Sequence, residues 1–194
     1  ARARIEQLED DRFDLYEASG VRTRAQRVGG SRRSNGAASV TGDRASVSVA
    51  VRDFWQNYPK ALTLAQDSIF VEILPPLDSS RYPRGGELED RLYYYLLDGH
   101  YKLRKGLSRT SEFWISYGQG EAAELAAAVA SPPIYRVPLS HFNDSDAWTR
   151  LPPKAPSPRP EYEEWVAAAR DVYEKDRQTT RAYGMLNYGD WYGE

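Results

Sequence analysis

A two-residue alternation of apolar and polar side chains constrains the first 116 residues more than any other feature of the sequence. Residues 46–52 read Ser-Val-Ser-Val-Ala-Val-Arg, so the three valines fall on one side of an extended chain and the serines and arginine on the other. This pattern predicts a half-buried strand with its valines in the core. Similar short runs, separated by turn residues, recur between residues 2 and 116 and predict an antiparallel β-sandwich.

Several further strands are bounded by residues that end a sheet or turn the chain. We predict strands over residues 69–74, 92–97, 101–105 and 110–117. The first of these ends at Pro75, because proline cannot donate a hydrogen bond to a neighbouring strand. The second is apolar on both faces, which is typical of a central strand, and the pair Asp98-Gly99 predicts a tight hairpin turn into the third.

A helical pattern replaces the alternation after Gly120. Residues 121–130 are rich in alanine, begin with glutamate and end before Pro132, which predicts a short covering helix. Residues 151–160 contain five prolines and predict an extended linker. Beyond the linker, apolar residues recur at helical spacing and predict one amphipathic helix, whose stripe comprises Tyr162, Trp165, Val166, Ala169, Val172 and Tyr173.

These patterns divide the chain into four predicted parts. Residues 1–20 are predicted to be the end of a preceding β-domain or the first sandwich strand, and residues 21–150 the central β-sandwich. Residues 151–160 form the predicted linker, and residues 161–194 the start of a helical domain. The predicted helix either packs back on the sandwich or opens a larger helical domain, because one amphipathic helix cannot bury its stripe alone. The chain starts without Met and ends on aromatic residues, so we expect a piece of a larger protein.

Charge, cysteine and histidine content exclude several classes of function. The 26 basic and 28 acidic residues nearly cancel to a net charge of −2, so the chain as a whole does not match nucleic acid or an anionic membrane. The absence of cysteine excludes disulfides and thiolate metal sites. His100 and His141 have no partner at metal-ligand spacing, and no apolar run approaches the roughly 20 residues of a membrane helix. We therefore expect no metal, no cofactor, no nucleic acid and no membrane as a partner.

Two groups of basic residues are candidates for binding an anion. Residues 22–33 hold five arginines and no acid, and we interpret them as a solvated loop, with a polyanion site as the alternative. Lys102, Arg104, Lys105 and Arg109 place four cations within ten residues. On neighbouring strands these cations could line a groove and neutralise the carboxylate of a uronic acid. The alternative is a charged edge strand that resists aggregation.

Aromatic and acidic residues alternate at the C-terminal end of the sequence. The candidates for substrate binding there are Tyr188, Asp190, Trp191, Tyr192 and Glu194. Such a combination is typical of a saccharide cleft, because aromatic rings stack on sugar faces and carboxylates accept hydrogen bonds from sugar hydroxyls. The alternative is hydrophobic docking between two domains.

Three segments carry a family resemblance. The stretches Asp-Arg-Phe-Asp-Leu-Tyr-Glu-Ala-Ser at 11–19 and Phe-Trp-Gln-Asn-Tyr-Pro-Lys-Ala-Leu at 54–62 resemble segments of the exo-acting rhamnogalacturonan lyases and their YetA-like relatives. The third segment, 103–112, is similar to a family strand in its Gly106, Arg109 and Thr110 but departs from it at positions 107 and 111, where Leu and Ser stand. The end of the chain, 187–194, resembles the segment that opens the family's helical toroid.

The resemblance implies an enzyme of three parts: a β-barrel-like domain, a central β-sandwich and a C-terminal (α/α) toroid. This chain would hold most of the sandwich and the first toroid helix, and it would be inactive alone because the family's cleft lies mostly on the toroid. The implied activity is β-elimination at a uronic acid of a rhamnogalacturonan-like or pectin-like polysaccharide, in an extracellular or periplasmic protein. The alternative is a non-catalytic carbohydrate-binding or structural β-sandwich module, in which Trp55, Trp114 and Trp191 are structural or stack on sugar.

Overall fold

Strands dominate the N-terminal part of the chain and helices the C-terminal part in the computed structural model, which describes residues 2–19, 26–76, 96–97, 100–103, 105–106, 108–118, 121–145 and 159–184. The strands are β1 (Arg2–Glu9), β2 (Arg12–Ala18), β3 (Gln26–Ser31), β4 (Ala37–Thr41), β5 (Ser46–Val51), β6 (Lys60–Leu64), β7 (Ile69–Glu72), β8 (Leu96–Leu97), β9 (His100–Tyr101) and β10 (Phe113–Tyr117). The helices are α1 (Ala122–Ala130), α2 (Leu139–Asp144) and α3 (Pro160–Thr179).

The chain forms two compact units. The first contains Ala1–Ser131 together with Tyr183–Glu194, and it includes every described strand and α1. The second contains Pro132–Ala182, and it includes α2 and α3.

The strands of the first unit form antiparallel sheets, as the alternating sequence pattern predicts. A five-stranded sheet has the order β3-β2-β1-β6-β7, and a three-stranded sheet has the order β10-β5-β4. Strands β8 and β9 pair as a short hairpin in which Leu97 lies opposite His100. The predicted turn residues, 98 and 99, lie outside the described residues. The prediction of a mainly antiparallel β-sandwich is therefore confirmed.

Apolar side chains from both larger sheets meet in one core. Its buried members are Ala38 of β4, Val51 of β5, Leu62 of β6 and Phe54. The partly buried residues Ile5, Leu64 and Val71 pack against them. Phe54 lies in the loop after β5 and is only 2% exposed. Burial of a side chain of this size stabilises the folded state by about 1.5–3 kcal/mol. The loop that carries Phe54 is consequently fixed to the core.

At one end of the five-stranded sheet, the buried side-chain amide of Gln7 in β1 has hydrogen-bond partners for both its nitrogen and its oxygen. It is completely buried, and its Nε2 donates to the carbonyl oxygens of Glu9 at 2.7 Å and Arg32 at 3.1 Å. The backbone N–H of Ser34 donates to Gln7 Oε1 at 2.9 Å. Such pairing removes the cost of burying an amide. Gln7 lies directly opposite Lys60 in the sheet, so this polar end of β1 adjoins the first residue of β6.

Strand β5 is buried on both faces, which corrects the prediction of a half-buried strand. Val49 and Val51 are 4% exposed, as predicted, but Ser48 on the opposite face is only 1% exposed. The physical reason is α1, because Ala126 and Val129 of this helix pack against small residues of the three-stranded sheet. The helix itself was predicted over residues 121–130, and its observed bounds confirm that prediction.

The N-terminal basic segment also differs from its interpretation as a solvated loop. Residues 26–31 form β3, which pairs with β2. Arg27 Nε donates to Asp14 Oδ1 at 2.6 Å, and this hydrogen bond raises the pKa of Arg27. The guanidinium of Arg33 lies 3.8 Å from the ring centroid of Trp55. For Arg27 the neighbouring strand thus supplies the acid that the segment itself lacks, while Arg22 and Arg24 lie outside the described residues.

Three of the predicted strands are shorter than expected. The strand expected over 69–74 ends at Glu72 as β7. The return strand expected over 101–105 is reduced to β9, and the strand expected over 110–117 begins only at Phe113. The residues just before Phe113 are held by Arg52, whose backbone N–H donates to the carbonyl of Glu112 at 3.0 Å and whose Nη1 donates to Glu112 Oε2 at 2.9 Å. The backbone bond continues the register of β10 with β5 by one residue, to Glu112 and Arg52.

Helix α3 confirms the predicted C-terminal amphipathic helix and extends it to 20 residues. Pro160 lies in its first turn, where a missing N–H costs nothing, and Glu161 and Glu163 complement the helix dipole there. No residue of α3 is buried, and its stripe, including Trp165 and Val172, is exposed. Among the described helices, none is both long and apolar enough to cross a membrane.

Gly36 is expected to tolerate no side chain, because its φ of +67° is left-handed and a Cβ built there would overlap the Cβ and Cγ of Phe54. We predict that Gly36→Ala lowers the free energy of unfolding by about 2 kcal/mol. Urea denaturation followed by far-ultraviolet circular dichroism measures this loss. Gly29→Ala is the matched control, since a Cβ at Gly29 meets nothing within 4 Å. Equal losses in the two variants would contradict the prediction.

Candidate functional site

Most of the substrate-binding residues predicted from the sequence fall outside the described residues. These are Arg104, Tyr188, Asp190, Trp191, Tyr192 and Glu194. Lys102 and Arg109 are described: Lys102 follows β9, and Arg109 lies in the segment before β10. Arg109 lines a cleft, whereas Lys102 is not among the residues that line it. The structure therefore does not place these two cations in one groove.

The cleft around Arg109 has a volume of about 240 Å³ and joins three parts of the first unit. Its lining residues come from the loop after β5, the start of β6 and the segment before β10: Arg52, Asp53, Asn57, Lys60, Arg109, Thr110, Ser111 and Glu112. We call it the cation cleft, because three of the eight carry positive side chains. All the lining side chains are polar, which is typical of a site for a polar or charged ligand.

Lys60 is the most unusual residue of the cation cleft. It is only 3% exposed, and it lies at the first position of β6. Burial, and after it the positive charge of Arg109, disfavours the charged ammonium, and together they lower the pKa of Lys60 to about 8. A lysine in these surroundings gains the most from an anion, because an anion restores the solvation lost on folding and offsets the repulsion by Arg109.

Arg109 is oriented by the loop that precedes β6. Its Nη2 donates to Asn57 Oδ1, which lies three residues before Lys60. Arg109 is exposed, and a guanidinium carries five N–H groups in a fixed geometry. A guanidinium forms two parallel hydrogen bonds with a carboxylate, and an ammonium adds a compact charge without a fixed direction. Arg109 and Lys60 therefore form a pair suited to a carboxylate.

Arg52 and Glu112 form one rigid wall of the cation cleft. Besides its two bonds from Arg52, Glu112 accepts a hydrogen bond from Trp114 Nε1 at 2.7 Å. The bond from Trp114 and then the bond from the Arg52 side chain lower the pKa of Glu112. Asp53 Oδ2 lies 3.7 Å from Arg52 Nε. Arg52 therefore lies between two carboxylates, and the three basic and two acidic lining residues give the cation cleft a formal charge of +1.

A second opening lies on the other side of the same loop, and we call it the alanine groove. It has a volume of about 420 Å³, and Arg52 and Asp53 line both it and the cation cleft. One wall is α1, which contributes Ala123, Ala126, Ala127, Val129 and Ala130. The opposite wall is formed by the end of β5 and the first residues of the loop 52–58, with Ser34 and Asn35 at the rim. This groove therefore has an apolar floor of small side chains with polar groups around it.

Trp55 of the alanine groove is held on two sides. Arg33 lies over its ring, and the ring of Tyr183 meets it edge-on with centroids 5.0 Å apart. The backbone N–H of Gly184 also donates to the carbonyl of Gln56 at 2.8 Å. These contacts support the interpretation of Trp55 as a structural residue that fixes the shape of the loop.

Of the three cations that line the cation cleft, Arg109 was predicted from the sequence as a binding residue, whereas Lys60 and Arg52 were not. Lys60 belongs to the segment 54–62 that carries the family resemblance, but no functional role was predicted for this lysine. A lysine in a run of core-forming residues is the one local signal that could have drawn notice. The described residues contain no group of three or more His, Asp or Glu side chains placed to hold a metal ion.

A known protein family matches the part of the chain that contains the loop after β5. Residues 3–69 match the PcRGLX-like protein central beta sandwich domain. The match spans β1 to β6, and it includes the loop 52–58 and Lys60 but not the segment with Arg109. No curated protein matches the chain. This match confirms the family resemblance predicted from segments 11–19 and 54–62: residues 3–69 are similar to the central β-sandwich domain of PcRGLX-like proteins.

Proposed function

We propose that the chain is the sandwich-bearing part of a polysaccharide lyase-like protein, and that its cation cleft binds the carboxylate of a uronic acid. The whole protein acts on a rhamnogalacturonan-like or pectin-like polysaccharide by β-elimination, and the 194 residues alone are inactive. The single observation that carries the proposal is the convergence of Lys60 and Arg109 on one cleft. Residues 3–69, which include Lys60, match the family's sandwich domain and support the same conclusion.

The chemistry of β-elimination explains why cations are useful at such a site. The reaction removes the proton at C5 of the uronic acid, expels the oxygen at C4 and leaves a double bond between the two carbons. A neutralised carboxylate makes the C5 proton more acidic, because the negative charge that develops is spread toward the carboxyl group. A base and an acid complete the reaction, and in this proposal they belong to the helical domain of the whole protein.

An assay with the whole protein tests this activity. Incubation with polygalacturonate and with rhamnogalacturonan is expected to produce an unsaturated uronic acid, detected by its ultraviolet absorbance. The chain of 194 residues is the control and is expected to produce none. Absence of the unsaturated product from the whole protein on every acidic polysaccharide tested would contradict the lyase assignment.

A non-catalytic carbohydrate-binding module is the second candidate. The observation that favours it is the position of the cation cleft, because all its lining residues belong to the unit that contains the sandwich. Binding of uronic acid by the whole protein without any elimination would select this candidate. For both candidates we propose an extracellular or periplasmic protein whose partner is an acidic polysaccharide or oligosaccharide, as the family resemblance implies.

A further inference from the structure

Strand β10 lies at one end of the three-stranded sheet, and none of the described strands pairs with its outer edge. The phase of its ladder with β5 decides which backbone groups remain open there. The backbone N–H of Arg52 donates to the carbonyl of Glu112, and that of Gly118 donates to the carbonyl of Ser46. Because hydrogen bonding alternates along an antiparallel strand, the residues at even positions of β10 bond to β5. The N–H and C=O groups of the residues at odd positions therefore point to the open edge.

The residues at odd positions of β10 also carry exposed apolar side chains. Phe113, Ile115 and Tyr117 are 47%, 48% and 78% exposed. They lie on the same face of the sheet as Val49 and Val51 of β5, which are buried. The apolar face of the sheet thus continues onto β10, where it meets solvent. An uncovered apolar face beside an open edge is typical of a surface that pairs with another strand.

The sequence of β10 lacks the features that keep edge strands apart. Edge strands usually carry a charged residue, a proline or a bulge. Residues 113–117 read Phe-Trp-Ile-Ser-Tyr, and they pair with β5 without an irregularity. In the five-stranded sheet, the edge strand β3 contains Arg27 and a register shift, and the edge strand β7 contains Glu72. Those two edges are protected, whereas the edge of β10 is not.

We propose that two copies of this chain pair through β10, antiparallel and about a twofold axis at Ile115. The proposal does not depend on the lyase assignment. The pairing places Ile115 opposite its own copy, and Phe113 of each copy opposite Tyr117 of the other. In every facing pair both residues direct N–H and C=O toward each other, so each pair can exchange two hydrogen bonds. The two three-stranded sheets then form one continuous antiparallel sheet.

A second copy fits this edge because the strand is complementary to itself. The residues two positions before and after Ile115 are both aromatic, so self-pairing sets one aromatic ring beside another. Residues 113–117 contain no charge, and like charges therefore do not meet across the axis. The next residue, Glu112, would face a glycine of the other copy, and its carboxylate already accepts hydrogen bonds from Arg52 and Trp114. Closed pairing through one shared surface is the usual form of a homodimer.

Sedimentation velocity of the 194-residue chain measures this association. A pair of short strands buries less than the roughly 1,200 Å² of a standard interface, so we expect a dissociation constant on the order of 10 μM. The mass is expected to rise from 22.0 kDa toward twice that value between about 1 and 200 μM. A mass that stays at 22.0 kDa up to about 200 μM would overturn the proposal. If amides 113, 115 and 117 of such a monomer are protected from hydrogen exchange only in the whole protein, another part of that protein covers the edge instead.

The Ile115→Lys variant tests whether the association uses this edge. Two ammonium groups would face each other at the axis, and we expect the dissociation constant to rise at least tenfold. Val28→Lys is the matched control, because Val28 is a similarly exposed β-branched residue in the edge strand β3, and we expect it to associate like the wild type. Circular dichroism verifies that both variants are folded. Association of Ile115→Lys as tight as that of the wild type, or an equal loss in Val28→Lys, would contradict pairing through β10.

Cysteine substitution tests the register, because the chain contains no cysteine of its own. Ile115→Cys places two thiols in a directly facing pair whose Cα atoms are about 5.5 Å apart, a distance that a disulfide spans. Trp114→Cys is the control, because its Cα would lie roughly 7–8 Å from its copy on the diagonal. Oxidation followed by non-reducing electrophoresis is expected to show a covalent dimer of Ile115→Cys in clear excess over Trp114→Cys. Equal yields of covalent dimer from the two variants would overturn the pairing at Ile115.

Discussion

Replacement of Phe54 by alanine is expected to lower the free energy of unfolding by about 4 kcal/mol. Phe54 is 2% exposed and packs against Ala38, Val51 and Leu62, which come from both large sheets. Its removal leaves a cavity that the surrounding strands cannot close, because they are held by their hydrogen-bonded ladders. The loop that Phe54 anchors also forms the wall between the cation cleft and the alanine groove.

Urea denaturation of wild type and variant measures this loss. Phe70→Ala is the matched control, because Phe70 of β7 is 53% exposed and its truncation leaves no closed cavity. We expect the control to cost less than about 1 kcal/mol. Similar losses for Phe54→Ala and Phe70→Ala would show that the loop after β5 does not belong to the core.

The second large effect is a rise in stability with pH that depends on Lys60. The pKa of Lys60 is lowered from 10.5 to about 8 in the folded state. Below pH 8 the lysine is charged in both states, and the cost of burying the charge is fully present. Between pH 8 and pH 10.5 the unfolded chain binds more protons than the folded one, so stability increases with pH. The total gain is about 3 kcal/mol and is complete above pH 10.5.

The Lys60→Met variant isolates this contribution from every other titrating group. The stability of wild type relative to Lys60→Met is expected to rise by about 3 kcal/mol from pH 7 to pH 10.5. The control is Lys102→Met, a lysine outside the cation cleft, for which we expect no such change relative to wild type. Parallel stability curves for wild type and Lys60→Met would mean that Lys60 is solvated in the folded protein.

Local periodicity predicted the elements of this fold that depend on neighbouring residues in the sequence. The strand over 46–52 and the helices over 121–130 and beyond 160 were predicted because their periods of two and of about 3.6 are visible in short windows. The burial of Ser48 was not predicted, because it depends on α1, which lies some seventy residues further along the chain and covers the second face of the sheet.

The candidate site depends on contacts between distant segments, and the sequence indicated only part of it. Arg109 was predicted as a cation for a uronic acid, but its partner Lys60 lies 49 positions earlier, and only the fold brings the two together. The same limit applies to the basic segment, whose Arg27 is neutralised by Asp14 from the adjacent strand. Pairing across strands cannot be seen in the spacing of residues within one segment.

The binding of galacturonic acid to the cation cleft is the central claim, and calorimetric titration of three proteins at pH 7 tests it most directly. Wild type is expected to bind galacturonic acid, and Arg109→Ala to bind it at least tenfold more weakly, because a charge-assisted hydrogen bond contributes about 1.5–3 kcal/mol. Arg44→Ala is the control, since Arg44 is exposed in the turn between β4 and β5, and we expect it to bind like the wild type. Equal affinities of wild type and Arg109→Ala, or equal losses in the two variants, would contradict the claim.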